Sequence, residues 1–236
     1  MEQGNSRVLL DCGVGVFANL MRRVALHEIS AIFVTHMHPD HFLDLVPLSY
    51  ALAYGKHQRS DVLPVYVPPG GKKIWKDVVA AFAGPVESAI LAPLALSEHP
   101  IGVCRVGALE VQVVPVSHFD IPSYGIQVSG GGKLAYSGDS APCPALPSLA
   151  RGADLLLCEA TLLHDDALPP NRGHLTAREA GQVAQEAGAR RLLLTHIAPH
   201  VDARKSLKEA KGAFLGEVLL AEEGHTHDVP AAPQNP

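Results

Sequence analysis

The sequence has few of the features that are typical of nucleic-acid-binding proteins and membrane proteins. Charged residues make up only 18% of it, and the net charge of −5 shows no excess of basic residues. The lack of a basic field argues against a dedicated nucleic-acid binder. No apolar run approaches the roughly 20 residues that span a bilayer, so we expect no membrane partner. The 47% hydrophobic content instead indicates a chain that buries a sizeable core.

Cysteine is also scarce. Cys12, Cys104, Cys143 and Cys158 are far apart in the sequence, and none belongs to a C-x-x-C pair. Each lies beside apolar residues, so we expect small buried thiols rather than disulfides or thiolate metal ligands. Reduced thiols suit a reducing compartment, and residues 1–5 show no signal-peptide pattern, so we expect a cytoplasmic protein.

What the sequence does contain is a series of short apolar runs that lead to an acid or a histidine. The runs lie at residues 8–10, 31–34, 111–116, 134–136, 154–158 and 192–194, and the side chains that follow are Asp11, His36, His118, Asp139, Glu159 and His196. Runs of this length between Gly, Pro or polar residues predict strands with buried faces. Sites in layered α/β folds form at strand ends, so we expect these six side chains to converge.

Helical patterns alternate with the predicted strands. We predict helices over residues 42–54, 72–82, 176–187 and 205–214. Thr176 and Glu179 form a capping-box pattern, and Gly188 is a helix stop. The alternation predicts an α/β sandwich, with helices covering sheets that face each other, in one domain over residues 1–224. Residues 225–236 contain three prolines and are predicted to form a disordered tail.

The densest group of chemical side chains is the stretch T-H-M-H-P-D-H at residues 35–41, which contains His36, His38, Asp40 and His41. A strand that enters a turn alternates its side chains, so His36 and His38 can point to one side. Asp40 and His41 then begin a helix after Pro39. One ion cannot easily use all four side chains, so the spacing predicts two. Imidazole and carboxylate ligands without thiolate suit Zn²⁺, with Mn²⁺ or Fe as alternatives.

The pattern H-x-H-x-D-H after an apolar strand resembles the signature of the metallo-β-lactamase superfamily of hydrolases. The superfamily's other motifs follow in its order: Asp11 in Leu-Leu-Asp, the lone His118, Asp139 in Ser-Gly-Asp and His196 in Leu-Leu-Thr-His. The resemblance implies a four-layer αββα sandwich with a dinuclear metal site at the strand ends. It implies that His36, His38 and His118 bind one ion, that Asp40, His41 and His196 bind the other, that Asp139 bridges them, and that Asp11 orients a ligand histidine.

Glu159 in Glu-Ala-Thr and His174 in Gly-His-Leu-Thr-Ala resemble the ribonuclease Z branch, the tRNA 3′-processing phosphodiesterases. This resemblance implies a phosphodiesterase that uses a hydroxide bridging the two metals. His174 would donate a proton to the leaving alkoxide or stabilise the phosphorane. Glu159 would hold its tautomer and favour the protonated ring, and Asp40 would accept a proton from the bridging water.

Two departures from that branch argue against tRNA as the substrate. Only 20 residues separate His118 from Asp139, which leaves room for a hairpin through residues 130–132 but not for the tRNA-binding arm. Seven residues precede Val8, so we expect the branch's N-terminal strand pair to be missing or truncated. We therefore expect a small or short nucleic-acid phosphodiester as substrate. Similar enzymes are commonly dimers, so a homodimer is compatible with the resemblance.

Other interpretations remain open. The metal ligands alone do not choose the electrophile, so a carboxylic ester, lactone or sulfate ester is an alternative substrate, and the pair of Glu159 and His174 favours a phosphodiester. A non-catalytic metal-binding interaction protein is an alternative of another class, against which the intact ligand set argues. Lys56, His57 and Arg59 either rim the site and meet an anionic substrate or form a solvated surface.

Overall fold

The computed structural model describes residues 1–55, 59, 61–100, 102–164, 167–168 and 171–230. Within it the chain forms two compact units, Met1–Glu110 and Val111–Pro236. Each unit is built around a β-sheet and the helices that cover it. Among the helices of the described residues, none is long and apolar enough to cross a membrane.

The first unit places short parallel strands beside amphipathic helices. Its strands are β1 (Glu2–Gln3), β2 (Ser6–Leu10), β3 (Ala31–Phe33), β4 (Leu63–Val67), β5 (Leu94–Glu98) and β6 (Val103–Val106), and its helices are α1 (Val16–Leu20), α2 (Pro39–Phe42), α3 (Leu45–Tyr54), α4 (Gly71–Ala83) and α5 (Glu87–Leu91). Strands β1 to β5 form a sheet in that order, in which β1 is antiparallel to β2 and the other pairs are parallel. The short strand β1 pairs with β2, the strand that leads to Asp11, and the missing or truncated N-terminal strand pair of the branch stays a prediction.

Apolar side chains on one face of this sheet pack against the helices. Ile32 and Val65 of the sheet share a buried cluster with Leu48 of α3 and with Trp75 and Val79 of α4. Removing such side chains from water contributes about 1.5–3 kcal/mol each, which holds the helices against the sheet. The predicted helix over residues 72–82 is confirmed as α4.

The helix predicted over residues 42–54 is confirmed as α3, but its predicted start is wrong, because the structure has α2, a break and then α3. At the break, the Asp44 carboxylate accepts a hydrogen bond from Phe17 N at 2.9 Å, and Asp44 N donates to Cys12 O at 3.0 Å. Pro47 lacks an N–H and is tolerated only in the first turn of a helix, so it favours a fresh start just before it. The interruption leaves α2 as a four-residue helix that carries Asp40 and His41.

The second unit combines a hairpin with parallel strands. Its strands are β7 (Leu109–His118), which contains the boundary between the units, β8 (Ile121–Ser129), β9 (Lys133–Tyr136), β10 (Leu155–Glu159), β11 (Arg191–Thr195) and β12 (Glu217–Leu220), and its helices are α6 (Ala145–Leu149), α7 (Ala177–Ala187) and α8 (Ala203–Ala213). The strands of this unit follow one another in its sheet in the order β12-β11-β10-β9-β8-β7. Strands β9 to β12 are parallel, and β8 pairs antiparallel with β9 through the predicted hairpin.

Helix α7 shows how local sequence determines an element of this unit. Thr176 Oγ1 accepts from Glu179 N at 3.2 Å, the Glu179 carboxylate accepts from Thr176 N at 2.9 Å, and Gly188 is left-handed. The capping box and the stop are therefore confirmed. The buried face of α7 consists of small residues, and a Cβ at Gly181 would lie 2.7 Å from Ala210 O. The close approach of α7 to α8 thus requires glycine at that position.

Residues 225–230 form neither helix nor strand, but they are not without contacts. Arg191 donates a hydrogen bond to Asp228 O, and Arg190 donates to Pro230 O at 3.4 Å. A Cβ at Gly132, in the β8–β9 turn, would collide with Val229 O. The rest of the predicted tail, residues 231–236, lies outside the described residues.

All four cysteines are free, as predicted. Cys12 and Cys158 are fully buried, and burial raises the pKa of both thiols. Cys104 and Cys143 are half-buried. A raised pKa keeps a thiol protonated and therefore a poor nucleophile. The two buried cysteines act as small core residues.

Candidate functional site

The predicted site residues fall into two sets, one in each unit. In the first unit, the three histidines of the H-x-H-x-D-H motif lie together after β3. The ring centroid of His36 is 4.7 Å from that of His38 and 4.0 Å from that of His41. His36 and His41 are buried, whereas the Asp40 side chain is 60% exposed in the first turn of α2. The expected helix start after Pro39 is confirmed, with His38 at the N-cap position.

Asp11 organises this set from the end of β2. Its Oδ1 accepts from Thr35 N at 2.6 Å, and its Oδ2 lies 2.7 Å from His41 Nδ1. A buried carboxylate accepts, so His41 carries its proton on Nδ1, and Nε2 is the ring atom that could bind a metal. The structure therefore places Asp11 in contact with a candidate ligand histidine. Its function as an orienting residue stays a prediction.

Thr35 was not singled out from the sequence, yet its hydroxyl joins three of these residues. Thr35 Oγ1 donates to Asp11 Oδ2 at 2.9 Å and lies 3.1 Å from His36 Nδ1 and 3.4 Å from His41 Nδ1. The side chain is fully buried. The available signal was its place between the apolar run and the first histidine, since a buried hydroxyl needs a partner.

In the second unit, His118 is the last residue of β7, and Asp139 and His196 follow the ends of β9 and β11. His118 Nδ1 donates to Gly173 O at 2.7 Å, which leaves Nε2 as the ring atom that could bind a metal. His196 Nε2 lies 3.3 Å from the carboxylate of Asp139. His118 and Asp139 are almost completely buried. A buried carboxylate beside imidazoles is an arrangement that divalent metals stabilise.

Glu159, at the end of β10, is the most deeply buried carboxylate of this set. Its Oε1 accepts from Ser140 N at 2.8 Å and from His174 Nδ1 at 2.9 Å. Its Oε2 accepts from Thr161 Oγ1 at 2.8 Å. These bonds satisfy an anion that would otherwise be costly to bury. Glu159 and His174, predicted as a pair, are in direct contact.

Thr161 is the second hydroxyl that sequence reasoning missed, although it completes the Glu-Ala-Thr motif. Its Oγ1 lies 2.8 Å from His196 Nδ1 and 3.3 Å from His174 Nδ1. With its proton directed to Glu159, the hydroxyl accepts from His196 Nδ1–H. Thr161 thus connects a candidate ligand and the candidate proton donor to one carboxylate.

The donor atoms of the second unit form two groups that fit a divalent metal. Those of His118, Asp139 and His174 lie within 4.8 Å of one another, and so do those of Glu159, His174 and His196. Oxygen atoms lie within hydrogen-bonding distance of Nδ1 in His118, His174 and His196, which is typical of metal-binding histidines. The chemistry of these residues therefore fits a metal site. His174 belongs to both groups, so distance alone does not separate a ligand from a proton donor.

Unusual backbone geometry coincides with these residues. Among the non-glycine residues that the structure describes, positive φ angles occur at Asp11 (61°), Phe119 (46°) and His196 (53°). Such conformations cost about 1–3 kcal/mol and persist where surrounding contacts enforce them, often at functional sites. Two of the three are predicted site residues, and the third follows His118.

Arg59 has a structural position instead of rimming a substrate site. Its side chain is only 8% exposed, and its guanidinium donates to Leu26 O at 3.0 Å and Ile29 O at 2.6 Å. It also pairs with Asp61 at 3.2 Å. These contacts cap a 3₁₀ turn, which favours a structural function for Arg59 over contact with an anionic substrate. Lys56 and His57 lie outside the described residues.

Comparisons with known proteins independently indicate the family and the fold of this chain. The sequence model of a family described as "Beta-lactamase superfamily domain" matches residues 6–197. Ribonuclease Z of Myxococcus xanthus is 30% identical over 273 residues, which cover 94% of this chain and 88% of that protein. The crystal structure of the metallo-beta-lactamase fold protein YhfI from Bacillus subtilis has a TM-score of 0.82 at 26% identity, covering 95% of this chain and 88% of that chain. Human tRNase Z, short form, has a TM-score of 0.72 at 24% identity, covering 98% and 91%.

Proposed function

Because the chain belongs to the beta-lactamase superfamily and has the metallo-β-lactamase fold, we propose that this metallo-hydrolase cleaves phosphodiesters. The observation that carries the proposal is the contact of His174 Nδ1 with Glu159 Oε1 at 2.9 Å. It supplies an oriented proton donor, which an alkoxide leaving group needs. The relative in Myxococcus xanthus, named ribonuclease Z, supports the same chemistry.

We propose that seven residues bind two divalent ions, which we expect to be Zn²⁺. They are His36, His38, Asp40, His41, His118, Asp139 and His196. Support comes from the imidazole and carboxylate donors, from the absence of a cysteine among them and from the contacts on Nδ1 of His41, His118 and His196. When bound, such ions lower the pKa of a water molecule and stabilise charge on the attacked phosphoryl group.

The side chains of the protein would then carry out the proton transfers of the reaction. A water oxygen forms the new bond to phosphorus, the bond to the leaving alkoxide breaks, and the alkoxide takes a proton from His174 Nε2. Glu159 holds Nδ1–H, which fixes the tautomer and stabilises the protonated ring. The exposed carboxylate of Asp40 accepts the proton that the water loses.

The fold also bears on the substrate. Residues 118–139 are described throughout, and they form the β8–β9 hairpin with a turn at residues 130–132. That segment contains no inserted arm, so we propose a small or short nucleic-acid phosphodiester rather than tRNA. We also propose that the protein acts in the cytoplasm, where its four free thiols stay reduced. A homodimer remains a proposal that analytical ultracentrifugation tests.

A series of methyl aryl phosphates with leaving groups of rising pKa tests the role of His174. Loss of a general acid costs about 10²- to 10⁴-fold when the leaving group needs a proton, and less for a good leaving group. We therefore expect His174→Ala to steepen the dependence of kcat/KM on leaving-group pKa. His27→Ala, at an exposed histidine, should leave the dependence unchanged. Equal losses across the series would contradict the proton-donor role.

A parallel panel separates the alternatives. Wild-type protein is assayed with bis-p-nitrophenyl phosphate beside a lactone, a β-lactam and an aryl sulfate. Turnover of an ester, lactone or sulfate without turnover of the phosphodiester would favour the alternative hydrolase. Near two equivalents of metal with no turnover of any substrate would favour a non-catalytic metal-binding protein.

A further inference from the structure

We propose that Phe119 is a positioning residue whose ring stacks on a nucleobase of the substrate, so that the phosphodiester belongs to a nucleotide. The inference rests on the proposed function and specifies its substrate class. It concerns an exposed aromatic side chain directly after the candidate ligand His118. Its basis is the exposure of the ring, its enforced backbone conformation and its contacts with His118, Gly173 and His174.

The Phe119 side chain is unusually exposed for its chemistry. It is 54% exposed, between the buried His118 and the exposed Asp120. A single exposed apolar side chain is common and needs no explanation by itself. The backbone conformation and the contacts of Phe119, however, show that the surrounding residues hold its ring in place.

The backbone at Phe119 is held in a conformation that a bulky residue rarely adopts. Its φ of 46° lies in the left-handed region, where the side chain of a non-glycine residue causes steric strain. A glycine or asparagine would fit this turn between β7 and β8 with less strain. The chain therefore keeps a phenyl ring where local backbone energetics favour another residue.

The ring is placed against the candidate catalytic histidine. Its centroid is 4.8 Å from that of His118 and 5.8 Å from that of His174, at interplanar angles of 61° and 84°. These edge contacts fix the ring near the proposed proton donor. The exposed part of the ring remains available to a planar group.

Gly173 makes room for this arrangement. A Cβ at position 173 would collide with the Phe119 ring. The carbonyl of Gly173 also accepts the hydrogen bond from His118 Nδ1 at 2.7 Å. The same glycine thus orients a candidate ligand and admits the aromatic ring, which couples the two positions.

The chemistry of a stacking platform beside a phosphodiester proton donor selects a nucleobase. A nucleobase is planar, and it lies one sugar away from the phosphorus that is attacked. Stacking of a base on an aromatic side chain tolerates different bases, because every base has a π face. We expect little base specificity and a clear preference for nucleotides over alkyl phosphodiesters.

A double-mutant cycle between protein and substrate tests this proposal. The substrates are the dinucleotide thymidylyl-thymidine and its two analogues in which one base is replaced by an abasic sugar, so the scissile bond is unchanged. For the dinucleotide, Phe119→Ala should raise KM about tenfold with kcat within about twofold. For the analogue that lacks the stacked base, the same substitution should have almost no effect on KM.

Two further variants separate stacking from a structural effect. Phe119→Trp and Phe119→Tyr retain an aromatic face and should restore the wild-type KM. Phe82→Ala removes a phenyl ring of similar exposure, 48%, from α4. This control substitution should change neither KM nor kcat for any of the three substrates. Equal effects of Phe119→Ala on all three substrates would overturn the proposal, because the ring would then act on His174 and not on a base.

A binding measurement tests the stacking proposal separately from the proposed function. If the wild-type protein cleaves no dinucleotide, the proposed function fails, and isothermal titration calorimetry decides the role of Phe119. Thymidine 3′,5′-bisphosphate should bind wild-type protein about tenfold more tightly than it binds the Phe119→Ala variant, and the abasic bisphosphate should bind both equally. Equal affinity of the wild-type protein for the two bisphosphates would overturn the stacking proposal.

Discussion

At the scale of single residues, two threonine hydroxyls link the candidate histidines to buried carboxylates. Thr35 contacts Asp11 and His41, and Thr161 contacts Glu159 and His196. In each case the hydroxyl donates to the carboxylate. Partners of this kind set the tautomer and the ring orientation of metal-binding histidines.

Removal of the Thr161 hydroxyl should weaken metal binding without unfolding the protein. Thr161→Val preserves the shape of the side chain but leaves Glu159 and His196 without this partner. Outer partners of metal ligands are typically worth about 10- to 100-fold in metal affinity or activity. Competition with a chromogenic chelator measures the loss, and Thr161→Ser, which retains the hydroxyl, should bind metal like the wild-type protein. A zinc affinity of Thr161→Val equal to that of Thr161→Ser would rule out this role.

His99 is a residue-scale feature with a measurable pH dependence. It donates from Nε2 to Val34 O at 2.8 Å, and burial lowers its pKa from 6.5 to about 4, more than this bond raises it. Between those values the unfolded chain binds a proton that the folded ring does not. The contribution is therefore complete above pH 6.5 and is lost as the pH falls towards 4, by at most about 3 kcal/mol.

Urea unfolding between pH 4 and 7 measures this contribution. His99→Gln keeps a donor for Val34 O but does not titrate, so its stability should fall less steeply with acid than that of the wild-type protein. His27→Gln, at an exposed histidine, should follow the wild-type curve. Parallel curves for His99→Gln and the wild-type protein would show that His99 is protonated normally in the folded state.

Some residues were predictable from the sequence because their spacing is local. His36, His38 and His41 are brought together by one strand end and one helix start, which the sequence pattern contains. Thr35 and Thr161 were missed, because each hydroxyl also contacts a partner far away in the sequence, Asp11 for Thr35 and His196 for Thr161. The positive φ angle of Phe119 was missed for another reason, since a phenylalanine in the sequence does not indicate a left-handed backbone.

At the scale of elements, the accuracy of prediction follows how local each cause is. Helix α7 was predicted nearly to the residue, because its cap and its stop lie within its own sequence. The break between α2 and α3 was missed, because it depends on bonds from Asp44 to residues 12 and 17. Strand β4 was not predicted, since it contains Pro64, which argues against a strand inside a sheet.

The contact between α7 and α8 gives a prediction at this scale. Gly181→Ala gains up to about 1 kcal/mol of helix propensity, but its Cβ meets Ala210 O. Overpacking of this kind costs about 1–3 kcal/mol, so we expect a net loss of stability in chemical denaturation. Gly212→Ala in α8 is the matched control, because no atom lies within 4 Å of its Cβ, and it should stabilise the protein by up to about 1 kcal/mol. Stabilisation by both substitutions would show that the helices separate easily.

At the scale of the whole molecule, the fold was the most predictable property. The H-x-H-x-D-H motif and the order of the later motifs predicted the metallo-β-lactamase fold, and the family match over residues 6–197 confirms it. The substrate was not predictable to the same degree, because ligands at strand ends are shared by hydrolases of different electrophiles. The single domain over residues 1–224 stays a prediction, since each compact unit has its own sheet.

The central claim is that this chain uses two bound metal ions to hydrolyse a phosphodiester. The most direct test removes metal with a chelator and then titrates Zn²⁺ back while hydrolysis of bis-p-nitrophenyl phosphate is followed. We predict that activity disappears on chelation and returns to a plateau at about two Zn²⁺ per chain. Full activity in metal-free protein, or a plateau without hydrolysis after two equivalents have bound, would contradict the claim.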